Sequence, residues 1–176
     1  MSTYRHTATD EDTALVASWR SGNLASFEAL VAKYQKRMFT IAVRITGDYE
    51  DACEVVQAAF VAAYRGIDSL RGAARFSTWL TGITVTQCRH LLEQAPAVPP
   101  TRARLEQATL HEKLQDCLKT LPVELREVTV LRDVQGFSCA EMCDILTITE
   151  GMVNFRLFQA REMVGVCLKQ AVGEPR

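Results

Sequence analysis

Apolar residues recur at helical spacing along most of the chain, and no stretch of useful length alternates as a strand would. Phe27, Leu30, Val31, Tyr34, Met38, Ile41, Ala42 and Ile45 follow the i, i+3, i+4, i+7 pattern and form one stripe. Lys33, Lys36, Arg37 and Arg44 fall off it. Gly47 suits the left-handed position after a helix end. Asp48 then caps a second helix, with Glu50 and Asp51 in its first turn, where the helix dipole favours negative charge. Ala52, Val55, Val56, Ala59, Phe60 and Ala63 repeat the stripe. A short helix over residues 12–20 comes first, stopped by Ser-Gly-Asn at 21–23. A further helix over 76–93 carries Trp79, Leu80, Ile83 and Leu91. The expected fold class is all-α.

The texture changes at QAPAVPPTRAR, residues 94–104, which holds three of the five prolines. Proline removes a backbone donor and turns the preceding residue away from helix, so this stretch reads as an extended linker. It divides the chain into a helical domain over 1–93 and a second over 105–176. In the second, residues 105–120 are helical, Pro122 opens a helix and Gly136 closes it. Ser138 and Glu141 form a capping box, and Thr149 caps a last helix running to about residue 170. SCAEMCDILTITEGMVNFRLFQAR, residues 138–161, therefore reads as two helices joined by a tight turn, a helix-turn-helix. On its second helix Val153, Leu157, Ala160 and Val164 turn inward, which leaves Glu150, Gly151, Asn154, Phe155 and Phe158 outward.

Composition narrows the function. The formal net charge is −1, so no overall basic balance points to nucleic acid. Residues 1–93 carry 10 basic and 10 acidic side chains, and residues 105–176 carry 8 basic and 11 acidic. The half with the helix-turn-helix is thus acidic, which disfavours a stand-alone DNA-binding repressor, because phosphate neutralisation supplies most non-specific affinity. The N-terminus, MSTYRHTATDED, has no apolar core of a signal peptide, and no run of apolar residues is long enough to span a membrane. A cytoplasmic protein is expected, and with it six reduced cysteines rather than disulfides, behaving as buried structural thiols. No CxxC pair exists and His6, His90 and His111 are scattered, so no metal site or other cofactor is expected. Neither a glycine-rich phosphate loop nor a nucleophile elbow is present, and an enzyme is not expected.

Over residues 12–168 the chain resembles the extracytoplasmic-function (ECF) sigma factors of bacteria. LASFEALVAKYQKRMFTIAVRITGDYEDACEVVQAAFVAAY is similar to that family's first conserved segments. RFSTWLTGI matches its F-x-T-W-L motif, and LPVELREVTVLRDVQGFSCAEMCDIL matches its L-P-x-x-x-R-E-V pattern followed by G-x-S and E-[IM]. The entry helix over residues 12–20 and these three pieces in order, with a Pro-rich linker between them, make the match specific. The resemblance implies a transcription-initiation subunit. Its first domain would bind core RNA polymerase and melt the proximal promoter element; its second would read the distal element. It also implies an anti-sigma factor as partner, and no membrane contact except through that factor.

Residue roles follow by match. Asp51, Glu54, Gln57 and Phe60 fall on the helix that binds core polymerase in the family. From the residues alone, such an acidic run is more commonly a solvated helix start than an interface. The family usually has Glu after the Gln, and here the residue is Ala58. Arg71, Arg75, Thr78, Trp79 and Arg89 match the proximal-promoter segment, where cations meet phosphate and an aromatic face stacks on an unpaired base. Trp79 also reads as a core anchor, four residues from Ile83. Thr149, Glu150, Asn154, Phe155, Arg156, Phe158 and Arg161 match the distal-promoter helix. Asn154 suits adenine, and Arg156 and Arg161 suit phosphate or guanine. Where the family commonly carries Thr, Lys, Ser, His and Arg, this chain has Met152, Asn154, Phe155, Phe158 and Gln159. The two phenylalanines suit either thymine methyl groups or a protein partner. The alternative to a working sigma factor is therefore a sigma-like decoy, which would bind an anti-sigma factor or polymerase without initiating.

Overall fold

The structure is a computed structural model of the 176-residue chain, and it describes residues 10–70, 75–94 and 110–172. Four helices build the first half: α1 (Asp10–Arg20), α2 (Leu24–Thr46), α3 (Tyr49–Gly66) and α4 (Phe76–Gln94), with a 3-10 turn at Ile67–Ser69. Four more build the second: α5 (Leu110–Thr120), α6 (Val123–Thr129), α7 (Cys139–Leu146) and α8 (Glu150–Val172). No strand occurs among the described residues, so the all-α expectation holds. Most of residues 94–104, and residues 105–109 of the helix expected after them, lie outside the described residues.

Local sequence sets the helix ends as expected. Asn23 caps α2, accepting from the Ala25 N–H. Gly47 takes the left-handed conformation at φ 82° and returns its N–H to the Val43 carbonyl. Asp48 accepts from the N–H groups of Glu50 and Asp51 and starts α3. Ser138 and Glu141 complete the capping box of α7. The end of α6 has a form the sequence did not foretell. The helix widens into a π-turn over Val130–Val134. It stops at Gly136, φ 74°, where the Phe137 N–H reaches back to the Leu131 carbonyl in a Schellman-like closure. That turn drives Phe137 into the core, where the Arg37 guanidinium lies 4.7 Å from its ring centroid.

The buried stripe of α2 is Leu30, Tyr34, Met38, Ile41, Ala42 and Ile45, as its period predicts. Each fully buried large side chain there contributes about 1.5–3 kcal/mol. Polar side chains tie α1 to this stripe. Tyr34 Oη donates to Asp12 at 2.6 Å, and Lys33 Nζ bridges Asp12 and Glu11 at 2.7 and 2.8 Å. The two halves share one apolar core. The cluster that holds Ile41, Leu80 and Val85 also holds Val128, Leu131, Phe137, Met142 and Ile145. A smaller cluster of Leu118, Leu121, Leu125 and Ala160 lies within the second half.

Two polar devices join helix ends. The Arg126 guanidinium is buried and donates to the Ile45 carbonyl at the end of α2. It also donates to the Lys119 and Leu121 carbonyls at the end of α5, at 2.7 and 3.0 Å. Terminal carbonyls lack helical partners and carry the negative end of the dipole, so a cation suits both ends at once. The second device corrects the expectation for the cysteines. Cys117 of α5 and Cys167 of α8 form a disulfide, their Cα atoms 5.8 Å apart. The packing of α5 on α8 brings together residues separated by 50 positions, which no sequence spacing indicates. Of the free cysteines Cys88 is buried, Cys139 and Cys143 are half-buried and Cys53 is exposed, so only Cys88 is the fully buried thiol expected. Burial pushes the Cys88 thiol up to about 12.

Two stability predictions follow from these joints. Arg126→Met strands three carbonyls and should lower the unfolding free energy in urea by about 2–4 kcal/mol. Reduction of the Cys117–Cys167 bond reopens its loop in the unfolded chain and should lower stability by roughly 2–4 kcal/mol. Cys167→Ser should match the reduced protein and be insensitive to dithiothreitol; a thermal midpoint unchanged by reductant would refute the assignment.

Candidate functional site

The first candidate surface is the start of α3. Asp48 Oδ1 accepts from the Glu50 and Asp51 N–H groups at 2.8 and 3.2 Å, so the cap gathers carboxylates around the positive end of the helix. Glu54 and Gln57 are exposed and Asp51 is half-buried. Burial, then the charges of Asp48, Glu54 and Glu50, push the Asp51 carboxyl above its ordinary value. No ion pair among the described residues neutralises these four acids. Phe60 departs from the face assigned to it. It is 8% exposed and belongs to the apolar core, because it shares the inward stripe with Val55, Ala59 and Ala63. A shallow groove of about 390 Å³ runs beside this face and is lined by Asp51, Glu54, Gln87 and His90.

The second surface is a groove of about 980 Å³ between α4 and α7, lined by Arg75, Trp79, Gly82, Ile83, Glu141 and Asp144. Trp79 meets both readings of it. Its ring packs on Phe76 at 5.8 Å, and its Nε1 donates to Ser69 Oγ at 3.2 Å, yet it is only half-buried and lines the groove. Thr78 also lines the groove but is buried, and its hydroxyl has no hydrogen-bond partner among the described residues. Arg20 of α1 donates to the Ile67 and Leu70 carbonyls and fixes the backbone leading into residue 71. Arg71 itself lies outside the described residues.

The remaining cations of this segment have carboxylate partners that sequence reasoning missed. Arg89 donates from Nε and Nη2 to the two oxygens of Glu127, each at 2.6 Å. Glu127 is fully buried; burial pushes its carboxyl up, and the Arg89 guanidinium opposes that shift. Arg75 donates to Glu141 at 3.1 Å. Glu141 thus serves both the α7 capping box and Arg75. The capping motif was visible in the chain, but its second partner, 66 residues away, was not.

The third surface is the outer side of α8. Thr149 Oγ1 accepts from the Met152 N–H at 3.3 Å and caps the helix. Thr147 turns the chain into it from the left-handed conformation at φ 57°. Val153, Leu157 and Ala160 are buried, while Glu150, Gly151, Asn154, Phe155 and Phe158 are exposed, as the helical wheel requires. Phe155 and Phe158 are 56% and 66% exposed, beside exposed Met152, Met163 and Val166. Asn154 Oδ1 accepts a weak bond from the Cys139 thiol at 3.8 Å. Arg161 pairs with Asp133 at 2.8 Å, with both side chains solvated, so that pair holds the arginine only loosely. Arg156 is half-buried. Among the described residues no helix is long and apolar enough to cross a membrane, and no cluster of three ligand-type side chains suits a metal.

These surfaces sit on a chain that matches known families and structures along most of its length. Residues 30–95 match the family model for sigma-70 region 2, and residues 111–164 match that for sigma-70 region 4. The first match covers α3, α4 and most of α2; the second covers α6, α7 and much of α5 and α8. A solved structure of CnrH in complex with the cytosolic domain of CnrY is similar at a TM-score of 0.74 and 31% identity, over 92% of this chain and 99% of that one. The sigma factor RpoE in complex with the anti-sigma factor NepR from Bartonella quintana shares the fold, at a TM-score of 0.66 and 18% identity, over 85% of this chain and 98% of that one. The ECF RNA polymerase sigma-E factor of Escherichia coli K12 is 31% identical, over 87% of this chain and 92% of its own length. With region 2 and region 4 in order, and a relative this close along nearly the whole of both chains, the protein belongs to the ECF sigma factors of RNA polymerase.

Proposed function

We propose that the protein directs promoter-specific transcription initiation by docking on core RNA polymerase through the acidic start of α3. The observation that carries this reading is the cluster of Asp48, Glu50, Asp51 and Glu54, gathered by a helix cap and unpaired with any cation among the described residues. Such a cluster suits a basic partner surface, which it would steer and orient. Asp51, Glu54 and Gln57 are the contact residues of this face. Phe60 acts beneath it by holding α3 on the core. Arg71, Arg75, Trp79 and Arg89 serve the proximal promoter element, with Thr78 supporting Trp79 from below. Thr149, Glu150, Asn154, Arg156 and Arg161 serve the distal element from α8. The domains are divided as 1–93, the linker 94–104 and 105–176. The protein works in the cytoplasm as a non-enzymatic subunit without a cofactor.

Phe155 and Phe158 belong to the surface that an anti-sigma factor covers. An exposed apolar patch of this kind calls for a protein partner, and two structural neighbours were solved with one bound. Any contact with a membrane runs through that factor. The same two rings support a second reading, a decoy that sequesters the anti-sigma factor and does not initiate.

In vitro transcription with core polymerase and fragmented genomic DNA separates the two. A sigma factor yields a few sharp 5′ ends that share an upstream element, and a decoy yields none. Asp51→Lys with Glu54→Lys should abolish those transcripts while leaving the circular dichroism spectrum unchanged. Normal output from that variant would remove the α3 face from the polymerase contact.

A further inference from the structure

We propose that Cys139 and Cys143 form a two-thiolate site for a soft, linearly coordinated monovalent cation, Cu(I), beside the contact of α7 with α8. Both thiols are free and half-buried, and both pack against the apolar core. They stand four apart on α7, which runs unbroken from Cys139 to Leu146. Helical spacing holds such Cβ atoms about 5–6 Å apart on one face. That is wider than the roughly 3.5–4.5 Å that a disulfide takes, so the helix opposes a direct bond and leaves room for an atom between the sulfurs. Thiolate sulfur selects soft ions, Cu(I) and zinc among them.

The ligand count decides between them. Among the described residues no third histidine, cysteine, aspartate or glutamate joins the pair. Zinc takes four ligands, and this pair would leave half of its sphere to water. Cu(I) is satisfied by two sulfurs in line. Local charge favours a cation as well. Cys139 is the first residue of α7, where the helix dipole supports a thiolate. Glu150 and Asp144 bear on Cys143 through their negative charge, a field that suits a cation at its sulfur. Binding is an exchange of protons for metal: each thiol loses one proton, two Cu–S bonds form, no electron moves, and the bis-thiolate complex carries one negative charge.

The site reaches α8 through Asn154, whose Oδ1 accepts from the Cys139 thiol at 3.8 Å. The metal takes the place of that thiol proton, so Asn154 loses its donor and its amide is free to turn. The consequence for promoter choice rests on the reading of Asn154 as a distal-promoter residue; the site does not. The ion is an exchangeable effector and not a resident cofactor.

The test uses the full chain with Cys117–Cys167 oxidised and no thiol reductant, which keeps those two sulfurs out of the titration. Cu(I) is added under argon as its acetonitrile complex, in competition with a chromophoric Cu(I) chelator, and Ag(I) serves as the redox-inert probe. One ion should bind per chain, and X-ray absorption at the copper edge should count two sulfur neighbours. Cys139→Ser and Cys143→Ser should each weaken binding by more than about a hundredfold, since loss of one of two ligands exceeds the usual penalty for an outer-shell partner. Cys53→Ser should bind as the native chain does. The Asn154 side-chain amide resonance should shift with Ag(I) to a one-to-one end point, and should not shift in Cys143→Ser at the same concentration.

Undiminished binding in either serine variant, loss of binding in Cys53→Ser, or a sulfur count other than two overturns the site. Displacement of Ag(I) by excess Zn(II) overturns the choice of ion. A native chain that takes up the ion while the Asn154 resonance stays in place overturns the link to α8. If a serine variant does not fold, the sulfur count of the native chain still decides. None of these measurements involves polymerase or DNA, so failure of the site is told apart from failure of docking or initiation.

Discussion

Two neighbouring residues of α6, Arg126 and Glu127, join the halves of the molecule. Arg126 closes the open carbonyls at the ends of α2 and α5, and Glu127 grips Arg89 of α4. Both side chains are buried, and each is a charge that folding removes from water. Such groups persist only where hydrogen bonds replace the lost hydration. Burial disfavours the charged form of each: it lowers the proton affinity of Arg126 and raises that of Glu127. The Glu127 charge partly offsets that penalty for Arg126, and Arg89 does so for Glu127. Removal of Arg89 leaves Glu127 buried and unmatched, and removal of Arg126 leaves the Ile45, Lys119 and Leu121 carbonyls without their donor. The apolar core shared by α2, α4, α6 and α7 includes Val128, next to this polar clip in the chain.

The same clip explains why the surfaces differ in electrostatic character. Basic side chains of the first half point into the contact with the second and find partners there, as Arg37, Arg44, Arg75 and Arg89 do. The acidic start of α3 lies outside that contact and keeps its charge uncompensated. A chain of nearly neutral net charge thus presents a negative field at one place and hides much of its positive charge at another. Net charge alone would have missed both features, because it sums over a fold that sorts the signs.

Much of this was legible in the chain. The stripe named most of the buried face of α2, with Phe27 and Val31 half-buried at its edge and Ser26 and Thr46 buried outside it. Asp48, Ser138 and Thr149 announced their helix starts, because a capping side chain acts within three residues of its own position. The inward and outward sets of α8 followed from helical period alone. What stayed hidden depended on residues far apart in the chain. Glu127 lies 38 positions from Arg89, Glu141 lies 66 from Arg75, and Cys167 lies 50 from Cys117. Phe60 carries two readings: its family position sets it beside Asp51, Glu54 and Gln57, while its period sets it with Val55 and Ala59 in the apolar core, where its side chain lies.

The outer side of α8 carries the last consequence of the fold. A helix on a protein surface normally keeps one face polar, yet α8 is apolar on two. Val153, Leu157 and Ala160 fill the interior, while Met152, Phe155, Phe158, Met163 and Val166 meet water. Its cations add little attraction for phosphate, since Arg161 is shared with Asp133 and Glu150 and Glu162 oppose Arg156 along the same helix. On the proposed reading, this helix does not bring the protein to DNA. The acidic face of α3 brings it to the polymerase, and tethering supplies the effective concentration that a weakly charged helix lacks. The helix then needs only to discriminate between sequences, a task for Asn154 at its base-facing start. On the same reading, its apolar row is left for a protein partner to cover.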